Sequence, residues 1–156
     1  MGRELAESAG TLGWGGWPVA DEVLTSARCW ELLGTASVAR VAWQAVDGVQ
    51  LLPVSFVVAR GGLAFRTSPY GLLSDLVQPT EVVVGVDDID TASRTGWSVL
   101  LRGRAEAVAE PAELVSLWTR DEPVPWASGV RNLFIVVAVR TVTGRRFSPL
   151  PRPLGS

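Results

Sequence analysis

The sequence predicts a mainly β domain, in which about six antiparallel strands form a barrel and short helices lie between them. Two kinds of observation support this fold class. Several segments alternate apolar and polar side chains with the period of two that is typical of strands. Short glycine-containing turns separate these segments and favour antiparallel hairpins. The chain has 156 residues, 47% of them hydrophobic, which is enough for one domain with its own core.

The N-terminal part predicts an arm followed by a helix. Residues 1–20 show no periodicity, and we expect a flexible arm whose tryptophans dock on the body or on a partner chain. The helix is expected to be capped by Asp21 or Thr25 and to end at Gly34, because apolar residues between them recur with helical spacing.

The central part predicts a meander of three antiparallel strands. The predicted strands are Ser37–Ala45, Val49–Arg60 and Leu63–Thr67. The pairs Asp47-Gly48 and Gly61-Gly62 provide the turns between them, since glycine adopts the positive φ angles that tight hairpins need.

The rest of the chain predicts a short helix, further strands and two proline-rich segments. The helix opens at Ser68-Pro69 and stops before Pro79. The later predicted elements are the strand Glu81–Val86, an acidic loop Asp87–Asp90, the strand Trp97–Val108, a helix with Pro111 in its first turn, a proline-rich loop, and the strands Asn132–Arg140 and Thr143–Phe147. We therefore expect the domain at 21–147 and a frayed tail at 148–156.

The composition excludes several kinds of enzyme. The chain contains no histidine and no lysine, so it cannot form a Ser-His-Asp triad or a Schiff-base lysine. A single cysteine excludes disulfides and redox pairs within the chain. The net charge of -2 argues against a general nucleic-acid binder. Without an apolar run of membrane length or a signal-peptide pattern, we expect a cytoplasmic protein with a reduced thiol.

Four groups of residues could carry chemistry, but each also has a purely structural interpretation. Asp87, Asp88 and Asp90 are expected to form a solvated turn, because their spacing lacks the features of a calcium loop, and no metal site is predicted. Cys29 is expected to be a buried small hydrophobe. The other two groups are an exposed charge ladder of Arg102, Arg104 and Glu106, and the pair Arg145-Arg146, for which anion binding and a solubilising strand end remain equally open.

Six strings in order carry a resemblance to a known family. They are LLPVSFVV, LAFRTSP, VDDID, TGWSVLLRGRAE, the PW loop and VTGRR, and the likeness that they support extends from about Cys29 to Arg146. In this order they resemble the pyridoxamine 5'-phosphate oxidase-like family of flavin-binding split β-barrels, and its actinobacterial branch in particular. The resemblance implies a split β-barrel that forms a homodimer, with flavin mononucleotide (FMN) in a groove between the subunits.

The resemblance also implies a set of cofactor-binding residues. Arg66, Thr67 and Ser68 match the string that holds the flavin phosphate, which suits the guanidinium fork and the hydroxyls. Leu72 stands where relatives commonly carry a lysine that contacts this phosphate. The other matching positions are Ser55 and Phe56 beside the flavin ring, Gly96, Trp97 and Ser98 on a neighbouring strand, and Trp126 and Arg131, which are expected to reach across the dimer.

The resemblance leaves two functions open, and neither assigns a catalytic residue. The first is an FMN-binding oxidoreductase that acts on an unknown small substrate, in which the flavin transfers hydride or electrons. The alternative is a non-catalytic split-barrel homodimer whose degenerate groove binds a small ligand, a deazaflavin or a protein partner. Haem is not expected, because its usual axial ligand is a histidine and the chain contains none.

Overall fold

The computed structural model describes residues 19–59, 61–67, 70–108 and 133–150. Seven strands, one α-helix and one 3₁₀ helix are present in these ranges. In chain order they are β1 Val19–Leu24, α1 Ser26–Leu33, β2 Val38–Ala45, β3 Gly48–Ala59, β4 Gly62–Thr67, the 3₁₀ helix Leu72–Val77, β5 Thr80–Asp90, β6 Thr95–Ala107 and β7 Leu133–Pro149.

The described strands form one antiparallel sheet that closes into a ring. Their order is β1-β7-β4-β3-β2-β5-β6, and a further pairing of β7 with β6 joins the ends. Strand β1 lies outside this ring, against the C-terminal part of β7. The predicted mainly β barrel is therefore confirmed, and closure satisfies strand edges that would otherwise stay unpaired.

The predicted meander is also confirmed. Strand β2 pairs with β3, and β3 pairs with β4, both in antiparallel register. Gly48 and Gly61 have φ angles of 130° and 68°, a region that favours glycine, so each turn needs the residue that the sequence supplies there. These hairpins fix the order of the first three strands of the ring.

Of the two residues predicted to cap helix α1, the structure confirms Thr25. The Oγ1 atom of Thr25 accepts a hydrogen bond from the backbone N–H of Arg28 at 3.2 Å, and α1 begins at Ser26. The prediction of Asp21 as the cap was wrong, because Asp21 lies in β1 and pairs with Phe147 of β7. Gly34 ends the helix as expected.

Two other elements extend further than predicted. Residues 87–90 continue strand β5 instead of forming a loop, because they pair with residues 95–98 of β6. The two predicted C-terminal strands are one strand, β7, since residues 141–143 between them pair with β6. The sheet thus reaches Val19 and Pro149. The predictions at Pro111, in the proline-rich loop and at Asn132 lie outside the described residues.

Helix α1 packs its buried face against the inner side of the sheet. Cys29, Leu32 and Leu33 belong to the main hydrophobic core, and Cys29 is fully buried as predicted. The close approach depends on Gly144 of β7, where an added Cβ atom would lie 2.6 Å from the Cys29 Sγ atom and 3.2 Å from a Val99 methyl carbon. Because glycine has no side chain, helix α1 can pack directly against the barrel at this position.

Replacing Gly144 with alanine is expected to lower the free energy of unfolding by about 1–3 kcal/mol, the usual cost of overfilling a packed core. Chemical denaturation measures this change. Gly85→Ala is the matched control, because an added Cβ atom there meets nothing within 4 Å. Cys29→Ala in the same chain should recover part of the loss. Equal stability of the Gly144 and Gly85 variants would contradict this packing.

Candidate functional site

Two predicted cofactor-binding residues lie side by side at one end of the barrel. Arg66 pairs with Phe134 of β7, and its guanidinium carbon lies 5.9 Å from the centroid of the Phe134 ring. The register pairs Phe56 with Phe65, so the next step places Ser55 beside Arg66. Ser55 and Arg66 are half-buried and face away from the core. They form a polar pair next to an aromatic ring.

The remaining described residues of the two matching strings face the opposite way. Phe56 and Thr67 point into the barrel and are only 3% and 2% exposed. Successive side chains of a strand alternate between its two faces, so neither string can present all its members to one ligand. Among the described members of the two strings, Ser55 and Arg66 are those on the outer surface.

A hydrogen bond connects the 3₁₀ helix that follows β4 to the barrel. The indole Nε1–H of Trp43 donates a hydrogen bond to Oδ2 of Asp75 at 3.2 Å. Leu72, the position where relatives carry a lysine, opens the helix with 58% of its surface exposed. A long cationic side chain at this position would therefore have room. Ser68 lies outside the described residues.

The third predicted group lies at the other end of the barrel. Val108, the residue that follows β6, lies at the same end of the barrel as Arg66, because its backbone N–H donates a hydrogen bond to the carbonyl of Phe134 at 3.0 Å. Trp97 lies eleven positions earlier, about 36 Å along the strand at the usual rise. Trp97 faces inward and is 7% exposed, whereas Ser98 faces outward and is exposed. One chain therefore does not bring these residues to Arg66, and Trp126 and Arg131 lie outside the described residues.

A cavity of about 350 Å³ opens beside Trp97. Its lining consists of Asp88, Asp90, Thr95, Gly96, Trp97, Arg146, Phe147 and Ser148. The roles of Arg145 and Arg146 are open from the sequence, and the structure separates them. The Arg145 Nη1 atom lies 2.7 Å from Oδ2 of Asp21, whereas Arg146 pairs with Trp97 and lines the cavity. The pairing of Arg146 with Trp97 depends on the register between β6 and β7, which the sequence alone does not give.

Two titratable groups near these elements have shifted pKa values. The pKa of Asp90 is lowered, chiefly by hydrogen bonds from the backbone and side chain of Ser93 and from the backbone of Ala92. Burial raises the pKa of the Cys29 thiol, which favours the unreactive protonated form. Asp87 and Asp88 alternate across β5, and Asp87 lies 3.9 Å from Arg40. Among the described residues no group of three or more acidic, cysteine or histidine side chains could hold a metal ion.

The closed antiparallel sheet defines this protein as a split β-barrel. The family model of pyridoxamine 5'-phosphate oxidase matches residues 25–146, and the chain belongs to this family. An uncharacterised protein of Mycobacterium tuberculosis is 31% identical over 120 residues, which cover 74% of this chain and 78% of that protein.

Two solved structures show the same likeness. The FAD-binding protein from Mycobacterium smegmatis is 27% identical, with a TM-score of 0.68 and coverage of 81% of this chain and 98% of that one. A conserved protein of unknown function from Corynebacterium diphtheriae is 30% identical, with the same TM-score and the same coverage. Within the described ranges no helix has both the length and the apolar character needed to cross a membrane.

Asp90 is expected to titrate below the ordinary aspartate range, which can be measured by NMR of its carboxyl carbon. Since the folded-state pKa is the lower one, the contribution to stability is present above about pH 3.9 and is lost as the pH falls through the folded-state pKa. Asp90→Asn should therefore make acid unfolding less steep. An ordinary pKa for Asp90, with an unchanged acid transition in the variant, would contradict the hydrogen bonds at this turn.

Proposed function

We propose that this chain is a flavin-binding oxidoreductase that acts as a homodimer, with FMN bound between the two copies. The observation that carries the proposal is the position of Arg66. Its guanidinium lies on the outer face of the barrel, at a strand end, near the ring of Phe134. The cytoplasmic location expected from the sequence stays part of the proposal.

The surroundings of Arg66 suit a phosphate joined to a flat ring system. Guanidinium groups bind phosphate oxygens through two parallel hydrogen bonds, which also fix the orientation of the phosphate. A small apolar cluster lies on the same outer face, with Ala59, Ala64 and Phe134 buried and Val57 and Val136 packed against them. An apolar surface next to a cation offers contacts to both parts of a flavin mononucleotide.

The separation of the predicted site residues supports a second copy. Ser98 is the member of its string that faces outward, as Arg66 does, and the two lie at opposite ends of one barrel. One flavin could therefore contact both only if they came from different chains. The outer face of β3 adds to this argument, because Val49 and Leu51 are 71% and 60% exposed there. Exposed apolar side chains on the face that carries Ser55 are suited to burial against a partner.

The family and one relative support flavin as the cofactor class. The relative from Mycobacterium smegmatis is an FAD-binding protein by name, and the pyridoxamine 5'-phosphate oxidase family model matches most of this chain. A bound flavin would supply hydride or electron transfer. The chain would bind and orient it, since neither histidine nor lysine is available for proton transfer. The substrate is unassigned.

A titration of the purified chain tests the cofactor. FMN, FAD and a deazaflavin are added separately while tryptophan fluorescence and visible absorption are recorded. We expect saturable binding of FMN, with quenching of the fluorescence, and bleaching of its visible band by an added reduced nicotinamide. Absence of flavin binding would contradict the proposal. Binding of the deazaflavin alone, or of FMN that no donor reduces, would support the alternative of a non-catalytic or differently loaded barrel.

Arg66→Ala should weaken FMN binding by about 1.5–3 kcal/mol, the typical value of a hydrogen bond to a charged group. The dissociation constant from the fluorescence titration measures this loss. Arg28→Ala is the control, because Arg28 lies on the exposed surface of α1 in an ion pair with Glu31. Equal affinity of the two variants for FMN would mean that the phosphate binds elsewhere.

Leu72→Lys should strengthen FMN binding several-fold, because it adds a second cation beside the proposed phosphate position. The exposure of Leu72 leaves room for the longer side chain. Val46→Lys is the control, since it adds the same charge at a fully exposed position of the β2–β3 turn. If both variants change the affinity equally, the gain reflects net charge alone and the placement of the phosphate near Leu72 is wrong.

A further inference from the structure

Three side chains form a row across the inner face of the sheet beside the cavity. Asp88 of β5 pairs with Trp97 of β6, and Trp97 pairs with Arg146 of β7. Directly paired residues of antiparallel strands project from the same face, so the carboxylate, the indole and the guanidinium all face the cavity. The indole therefore separates a negative charge from a positive charge.

The two charges do not neutralise each other within the chain. Arg146 and Asp88 form no ion pair or hydrogen bond through their side chains with any described residue, whereas the adjacent Arg145 is paired with Asp21. Two strand spacings, about 10 Å, separate the backbones of Asp88 and Arg146. Glu22 of β1 is the register partner of Arg146 on its other side, but no ion pair or hydrogen bond joins their side chains. The sheet thus keeps the Arg146 guanidinium and the Asp88 carboxylate apart, with the Trp97 indole between them.

We propose that this cavity binds a small amino carboxylate with a flat apolar body. The ligand carboxylate binds the guanidinium of Arg146, its ammonium group binds Asp88, and its body packs against the exposed part of the Trp97 indole. The volume of about 350 Å³ lies within the range of small-molecule sites. Thr95 and Ser148 add hydroxyl groups to the lining.

The arrangement selects for ligands that carry both charges. A ligand without the ammonium group would bring its carboxylate near Asp88 and Asp90 with no compensation, and Asp90 is held in its ionised form by its own turn. A ligand without the carboxylate would bring an ammonium group near Arg146. Since each charge-assisted contact contributes substantially, removing either group should weaken binding about tenfold or more. This site goes beyond the proposed flavin function and does not require a bound flavin.

Calorimetric titration with three related probes tests the charge requirement. The first, 4-(aminomethyl)benzoate, carries an ammonium group and a carboxylate at opposite ends of an aromatic ring. The others, 4-methylbenzoate and benzylamine, carry one charge each. We expect the first probe to bind at least tenfold more tightly than either of the others. No binding, or equal binding of all three, would overturn the inference.

Matched variants test the position of the site. Arg146→Gln should reduce the preference for the first probe over benzylamine, and Asp88→Asn should reduce its preference over 4-methylbenzoate. Arg145→Gln and Asp87→Asn are the controls, because their side chains face the other side of the sheet. Thermal melts establish that each variant is folded, and equal effects of site and control variants would overturn the inference.

A final titration separates this site from the proposed flavin site. The first probe is added to the chain with and without saturating FMN. Displacement of the probe by FMN would assign the cavity to the flavin and overturn the inference. Unchanged probe binding supports a separate site, whether or not FMN itself binds.

Discussion

Strand β7 closes the barrel, and the rest of the described fold depends on its pairing with three other strands. It extends over 17 residues, joins β4 through its first half and β1 through its second, and pairs with β6 along most of its length. A shift in register between Arg102 and Gly103 of β6 lets the two long strands stay paired as the sheet curls. Without this strand the sheet would have two open edges, and α1 would lose the glycine on which it packs.

The length of β6 and β7 also determines where chemistry can occur. These strands carry Arg66's neighbour Phe134 at one end and the Trp97 cavity at the other. A single chain therefore has two separate candidate binding regions, and they face different sides of the sheet. The outer region suits a phosphate and a ring shared with a second copy. The inner region suits a small ligand with two charges.

Local signals in the sequence predicted much of the fold. The turns at Gly48 and Gly61 and the helix end at Gly34 each need a residue type that can be recognised without tertiary context. The acidic segment Asp87–Asp90 is predicted as a loop, but its pairing with β6 outweighs the low preference of aspartate for strands. The sequence makes Arg66 a candidate because of the string that carries it. The sequence does not reveal the pairing of Arg146 with Trp97, since this depends on the register of strands that are distant in the sequence.

The central claim is that the flavin site is completed only when two copies meet. Native mass spectrometry of the chain with added FMN tests it most directly, because it counts subunits and cofactors in one spectrum. We expect dimers that carry up to two FMN molecules and monomers that carry none. Monomers with FMN in the same proportion as dimers would contradict a site shared between copies.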